Sequence, residues 1–377
     1  MKKALKKCFG IDTADMTTAE KEKEIPQLVS FNFDIFARHL VVVLNLSKKQ
    51  VISIIQNWLR VLHIQFGWVY DFNKLIIKYV KLFTKYFNLI KILEGHNSTV
   101  RCVKFSLDGH NIVSSSSDGT VRIWDIESGK QMKCFKGHSY WVNFTEISPN
   151  GKVVISCSED ETIRLWDLTS EKEIMKFGND LDAIWYINFS RDGKYIVSGS
   201  ADKTISMWDV ESGKEIKKFI GHSGGVSSVQ FSSDCQMILS SSYDKTICLW
   251  NIKTGKILKQ FIGHSDYVRC AKFSPNNQFI VSCSWDNTIR IWDIKLGKQI
   301  QLFNGHLGIV TDVKYFPDGQ IIVSCSCDKT IRLWDVNSGY EIHKLEGHSN
   351  WISRIDVSSD GNTIVSSSYD NTIRIWE

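Results

Sequence analysis

Seven tryptophans, Trp124, Trp166, Trp208, Trp250, Trp292, Trp334 and Trp376, recur every 42 residues, and this beat constrains the fold more than anything else in the 377-residue chain. Each closes a stretch of one pattern, clearest as Ile280-Val281-Ser282-Cys283-Ser284-Trp285-Asp286-Asn287-Thr288-Ile289-Arg290-Ile291-Trp292-Asp293. Short apolar and β-branched runs broken by turn residues read as strands. A small strand unit repeated at this period buries its faces only by stacking on its copies, which points to one four-stranded blade per repeat around a common axis. The expected fold class is all-β, a seven-bladed β-propeller preceded by a small helical extension.

The first repeat shows the anatomy. Val100–Phe105 reads as strand a, Leu107-Asp108-Gly109 as a turn, and Ile112–Ser116 as strand b. Asp118-Gly119 makes a tight turn into strand c, Val121–Asp125. Ser128-Gly129-Lys130 then leads to an outer strand d that ends at Phe135. The last repeat stops at Trp376-Glu377, inside its strand c, whereas Leu89–Leu93 ahead of the first repeat aligns with Gln131–Phe135. Residues 88–94 are therefore expected to supply the outer strand of the last blade, closing the ring and removing an unpaired edge. The expected division is a charged, flexible start over 1–25, a helical extension over 26–87 and the propeller over 88–377.

Ahead of the repeats the periodicity is helical. Ser47 with Gln50 reads as a capping box before Val51, Ile54, Ile55, Trp58, Leu59 and Leu62 on one helical face. After Gly67 a second helix is expected from about Asp71, with Phe72, Leu75, Ile76, Tyr79, Val80 and Phe83 as its apolar face. Residues 1–87 hold 14 Lys/Arg against 7 Asp/Glu, while the remainder holds 32 against 34. The propeller is thus near neutral, which argues against a nucleic-acid surface there, and the basic excess reads as a solvated helix face, with a membrane- or RNA-facing patch as the alternative. Met1–Gly10 lacks the apolar core of a secretory signal. Phe31–Leu46 is too short to span a bilayer and is broken by Asp34, Arg38 and His39, so a soluble chain with no membrane span is expected.

Ten cysteines suggest disulfides, but their placement does not. Cys157, Cys283 and Cys325 share one repeat position with Ser115, Gly199, Ser241 and Ser367, a slot for a small buried side chain. Cys325-X-Cys327 lacks the second ligand pair of a zinc site, so no metal is expected. Reduced thiols place the protein in the cytoplasm or the nucleus.

Trp-Asp at 124–125, 166–167, 208–209, 292–293 and 334–335, with Gly-His at 95–96, 137–138, 221–222, 263–264, 305–306 and 347–348, resembles the WD40 family over residues 88 to 377. Gln56-Asn57-Trp58-Leu59-Arg60 through Gly67–Lys74 is similar to an extension found in large WD-repeat families of unicellular eukaryotes. The resemblance implies a hydrogen-bonded His, Ser, Asp and Trp in each blade. The first blade's set would be His96, Ser114, Asp118 and Trp124; the second His138, Ser156, Asp160 and Trp166; the fifth His264, Ser282, Asp286 and Trp292. The fourth, sixth and seventh would be His222/Ser240/Asp244/Trp250, His306/Ser324/Asp328/Trp334 and His348/Ser366/Asp370/Trp376. Ser, His and Asp together tempt a reading as a hydrolase triad, but a set repeated six times at one spacing reads as bracing. In the third repeat Asn179-Asp180 replaces Gly-His, leaving Ser198, Asp202 and Trp208 without an imidazole. Asp180 is expected to point outward and that blade to be the least rigid.

The same resemblance implies that partners touch positions three and five after the His and one before the tight-turn Asp. Arg101, Trp141, Trp185, Tyr243, Tyr267, Arg269, Trp285, Trp351 and Tyr369 stand at such positions, with smaller residues such as Asn143, Ser227, Ile309, Thr311, Cys327 and Ser353 at others. Seven of the twenty-one are Trp or Tyr, against 12% aromatic overall, and aromatics with Arg at a rim are the composition of interface hot spots. Tyr267, Arg269, Trp285, Trp351 and Tyr369 are expected to form one patch. The functional expectation is a non-enzymatic scaffold that binds proteins or peptides, alone or within a complex, with no cofactor and no small-molecule substrate. An alternative is a ubiquitin-ligase substrate receptor, since Pro26, Ile35-Phe36, Leu40 and Trp58 are spaced loosely like an F-box. An enzyme has no Gly-rich phosphate loop, metal-ligand cluster or isolated nucleophile–base pair to support it.

Overall fold

The computed structural model describes residues 87–178 and 182–377. Among them the chain forms seven four-stranded antiparallel sheets and no helix. The helices, the capping box and the F-box-like residues expected ahead of Phe87 lie outside the described residues, as do Asn179 and Asp180.

Blade 1 comprises Val100–Phe105, Asn111–Ser116, Thr120–Asp125 and Gln131–Lys136, here strands a to d. The a strands of blades 2 to 7 are Val142–Ile147, Ile184–Phe189, Val226–Phe231, Val268–Phe273, Val310–Tyr315 and Ile352–Val357. They pack against one another around the axis. Strands a and b are buried along most of their length because neighbouring blades cover both faces, and strand d is largely exposed. Blade 7 takes its d strand from the other end of the chain: Leu89–Leu93 pairs antiparallel with Ile373–Trp376. The Asn88 N–H donates to Glu377 O at 2.7 Å, and the Glu377 N–H returns a bond to Asn88 O at 2.9 Å.

The periodic tryptophan joins two blades. Its indole N–H donates within its own blade, Trp166 Nε1 to Ser156 Oγ at 2.8 Å. In blades 2 to 6 its ring packs on the last aromatic of the preceding blade's d strand, Phe135 against Trp166 at 5.6 Å and Phe303 against Trp334 at 5.8 Å between centroids. The glycine before each histidine makes room for this ring: a Cβ on Gly137 would lie 2.8 Å from the tip of Trp166. In strand d the residue opposite the gap between the tryptophan and its neighbour is bulged out of the ladder. This places Ile90, Met132, Ile174, Ile216, Leu258 and Ile300 on the exposed outer edge. Such bulges twist an edge strand and discourage pairing with another chain.

Candidate protein-binding face

The d–a loops and b–c turns meet at one end of the propeller. In every blade the pairing of strands a and b skips one residue there: Arg101, Asn143, Trp185, Ser227, Arg269, Thr311 and Ser353. Each is the residue five after the histidine position, and a β-bulge re-aims the side chain it carries. Four of them turn sideways and brace the ring. Asn143 Nδ2 donates to Ile184 O at 2.9 Å and Thr311 Oγ1 to Ile352 O at 2.6 Å, while Ser227 and Ser353 donate likewise to Val268 O and Val100 O. These four, expected among partner contacts, are buried ties between blades. Arg101, Trp185 and Arg269 are too long for that carbonyl bond and stand at the face, although Arg101 Nη1 still donates to Asn143 Oδ1 of blade 2 at 3.2 Å.

Four aromatic rings from three adjacent blades form a ladder on this face. Trp185 of blade 3 packs on Tyr243 of blade 4 at 4.8 Å. Tyr243 stacks on Tyr267 of blade 5 at 4.6 Å with 8° between planes, and Trp285 closes on Tyr267 at 5.2 Å. Trp185 lies over Gly225, where a Cβ would come within 2.4 Å of its ring, so the ladder depends on the bare backbone of that residue. Trp351 and Tyr369 form a separate edge-to-face pair on blade 7 at 5.6 Å. No ring contact among the described residues joins this pair to Trp285, because blade 6 between them presents Ile309, Thr311 and Cys327. The Arg101 guanidinium lies 4.2 Å over the Trp141 ring and donates from Nε to Ser117 Oγ at 2.7 Å. Burial pushes the Cys327 thiol up to about 11, so it stays protonated and is no nucleophile.

Beneath the face the polar sets brace each turn. In blade 5, His264 Nδ1 lies 2.8 Å from Asp286 Oδ2 and Nε2 lies 2.8 Å from Ser282 Oγ, which also accepts from Trp292 Nε1 at 2.8 Å. The Asp286 carboxylate further accepts from the Ser265 N–H, the Thr288 N–H and Thr288 Oγ1. Burial alone would raise the Asp286 pKa, but the bonds from His264 and Thr288 outweigh it and hold the carboxyl well below its usual range. Burial keeps His264 below the ordinary histidine range against the opposing pull of Asp286. The same contacts join His96/Ser114/Asp118/Trp124 and His138/Ser156/Asp160/Trp166. A neutral, buried imidazole with both nitrogens engaged has no free position from which to accept a substrate proton. In blade 3 the Trp208–Ser198 bond persists at 2.9 Å, and Lys218 Nζ reaches Asp202 at 3.3 Å. Among the described residues, no group of His, Cys, Asp and Glu is arranged to hold a metal ion.

A second set of ties escapes a reading of strand alternation alone. Three residues beyond the bulge position of strand a, Glu146, Asn188, Gln230 and Asp356 accept the N–H of Phe189, Phe231, Phe273 and Phe105 in the next blade. The signal is an acceptor at one repeat position; Lys104, Lys272 and Lys314 replace it in the other blades.

Seven like blades, six pinned by a buried His, Ser, Asp and Trp set and each free to vary at the surface, define an interaction platform of the propeller class. The chain belongs to the WD40-repeat family. The WD domain, G-beta repeat, matches residues 255–293, 297–335 and 339–377, and the IFT122 first beta-propeller family matches 76–254. Similar proteins include nuclear distribution protein PAC1 of Candida tropicalis, 44% identical over 57 residues, or 15% of this chain and 12% of that protein. Vegetative incompatibility protein HET-E-1 of Podospora anserina is 54% identical over 37 residues, covering 10% of this chain and 3% of that protein. WD repeat-containing protein RUP2 of Arabidopsis thaliana is 32% identical over 69 residues, covering 18% and 16%. The chain therefore matches only a small part of the length of each of these relatives. WD-repeat propellers are generally non-enzymatic scaffolds for protein interaction, and neither matching family is a catalytic one. No helix among the described residues is long and apolar enough to cross a membrane.

Proposed function

We propose that this chain is a non-catalytic scaffold that captures a protein or peptide on the propeller face carrying Trp185, Tyr243, Tyr267 and Trp285. The ladder carries the reading. Four large rings from three blades pack on one another at the surface, and Trp285 remains 37% exposed. Rings held by their neighbours have already lost most of their rotamer freedom, so a partner that covers them meets a preformed site. Arg269 and Arg101 stand at equivalent bulge positions, and aromatics with Arg are the residues that dominate binding energy at interfaces. The pairs Trp351–Tyr369 and Arg101–Trp141 supply a second, smaller anchoring point. The nine described cysteines are free, and six of them are buried in the propeller, in keeping with a reducing compartment such as the cytoplasm or nucleus.

Quantitative affinity purification tests the reading with the double variant Tyr267→Ala, Trp285→Ala. Leu107→Ala, exposed on an a–b turn at the opposite end, serves as the control. Partners retained by the wild type and the control should be lost from the double variant, with the melting temperature of all three alike. Partners that survive the double substitution would place the binding face elsewhere.

A further inference from the structure

The a strands send charged side chains toward the axis, and their pairing is incomplete. Asp356 engages Lys104 at 3.4 Å and Lys314, and its other oxygen accepts the Phe105 N–H. Asp312 meets Arg354 Nη1 at 3.5 Å and the Ile355 N–H at 3.3 Å. Glu146 is occupied by the Asn188 amide and the Phe189 N–H, and burial raises its pKa against the opposing pull of Lys104 and Lys272. With the three carboxylates so placed, Lys272 is left with the Tyr186 hydroxyl as its hydrogen-bond acceptor. An ammonium has three donors, and burial depresses the Lys272 pKa; Lys104 and Arg354 add to this as like charges, while Cys270 and Asp312 oppose it.

Arg354 is short of acceptors as well. It is 2% exposed, its Nε has no hydrogen-bond partner, and Asp312 meets it at the long limit of a bond. Both cations address one ring: Lys272 Nζ lies 4.4 Å and Arg354 Cζ 4.9 Å from the centroid of Tyr186. Two buried cations with spare donors beside one aromatic wall form an arrangement that an anion completes, because unpaired buried donors carry a desolvation penalty.

We propose that the channel binds one small oxyanion between the Lys272 ammonium and the Arg354 guanidinium, beside the Tyr186 ring. Its oxygens accept from Arg354 Nε and from the spare Lys272 donors, and its charge relieves the repulsion between the two cations. The site lies below the aromatic face and does not depend on what binds there. A phosphate, a sulfate and a carboxylate share the required chemistry.

Calorimetric titration and thermal melts of the full chain, in chloride, phosphate and acetate at matched ionic strength, test the proposal. Phosphate or acetate should bind at one site per chain and raise the melting temperature above that in chloride. The stronger of the two identifies the source as a phosphoryl or a carboxylate group. Lys272→Met should weaken binding by roughly tenfold or more, the effect of one lost charge-assisted hydrogen bond. The variant also strands the buried Tyr186 hydroxyl, so its affinity rather than its melt is the deciding readout, and Lys253→Met on the surface should bind as wild type does. Absence of saturable anion binding to the wild type overturns the proposal, whether or not the variant folds. An unchanged affinity in Lys272→Met overturns it equally.

Discussion

The blade that lacks its histidine is a built-in control for what the polar sets contribute. In blade 5, Asp286→Ala removes acceptors from four donors, His264 Nδ1, the Ser265 N–H, the Thr288 N–H and Thr288 Oγ1, and a loose ion pair with Arg290 at 3.7 Å. Ser265 N is exposed and water replaces that bond, but the His264 side chain is 1% exposed and its Nδ1 is left with the long 3.4 Å contact to Thr288 Oγ1 alone. The lost charge-assisted bonds and this weakly satisfied nitrogen together should cost about 3–5 kcal/mol. In blade 3, Asp202→Ala removes bonds from the Thr204 N–H and Oγ1 and a half-exposed contact to Lys218. The last is worth at most about 1 kcal/mol, and no imidazole is stranded, so the total should be about 1–2 kcal/mol. Scanning calorimetry should then show Asp286→Ala lowering the melting temperature by roughly 6–10 °C and Asp202→Ala by roughly 2–4 °C, at about 2 °C per kcal/mol for a unit of this size. Equal losses would refute the reasoning, because they would mean that the imidazole adds nothing to the brace.

Two further outcomes follow from the same geometry. Burial lowers the pKa of His96, His138, His264, His306 and His348 in the folded state, so the unfolded chain takes up protons first as pH falls. The urea midpoint should hold steady from pH 8 to 7 and decline below about pH 6.5; the depressed carboxyls such as Asp118 and Asp160 steepen the loss below about pH 4. A midpoint that is highest near pH 5 would contradict this. At the tight b–c turn, Gly119 has φ 76° and a Cβ there would meet His138 O at 3.1 Å. Gly119→Ala should therefore cost about 1–2 kcal/mol in urea unfolding. Lys245→Ala, at the matching position with φ 72°, should be close to neutral because the wild-type side chain already bears that strain.

Much of the frame is legible in the sequence because its physics repeats with the period. The Cys, Ser and Gly slot is one case. Cys157, Cys283 and Cys325 are fully buried on their b strands, and at Gly199 a Cβ would come within 2.8 Å of Val226 in the next blade. Small size is what that slot demands, and a substitution pattern within one chain reveals it. The channel charges are a contrary case. A lysine alternating with apolar residues, as Lys272 does between Ala271 and Phe273, reads as a solvent-facing position, since in an ordinary half-exposed strand the polar face meets water. In the innermost strand of a propeller that face packs on the neighbouring blade beside the channel, so the same alternation buries a charge. Alternation tells which residues share a face, and only topology tells what the face looks at.

The bulge position shows why the binding face is harder to read than the frame. Arg101, Asn143, Trp185, Ser227, Arg269, Thr311 and Ser353 occupy one place in the period, and all are polar or aromatic. Side-chain reach divides them. Ser, Thr and Asn place a donor on the neighbouring blade's carbonyl and disappear into the ring, as Thr311 does on Ile352 O. Trp and Arg overshoot that carbonyl and remain at the surface, where Trp185 joins the ladder and Arg101 covers Trp141. Swapping the classes is decisive, since it changes reach without moving the backbone bulge. A blade that gains an overshooting residue loses the tie to the carbonyl and gains surface, keeping at most a side-chain link such as Arg101 to Asn143 at 3.2 Å, whereas one that gains a short hydroxyl does the reverse. The variation from blade to blade at this position thus divides the seven sites between holding the ring shut and presenting it to a partner.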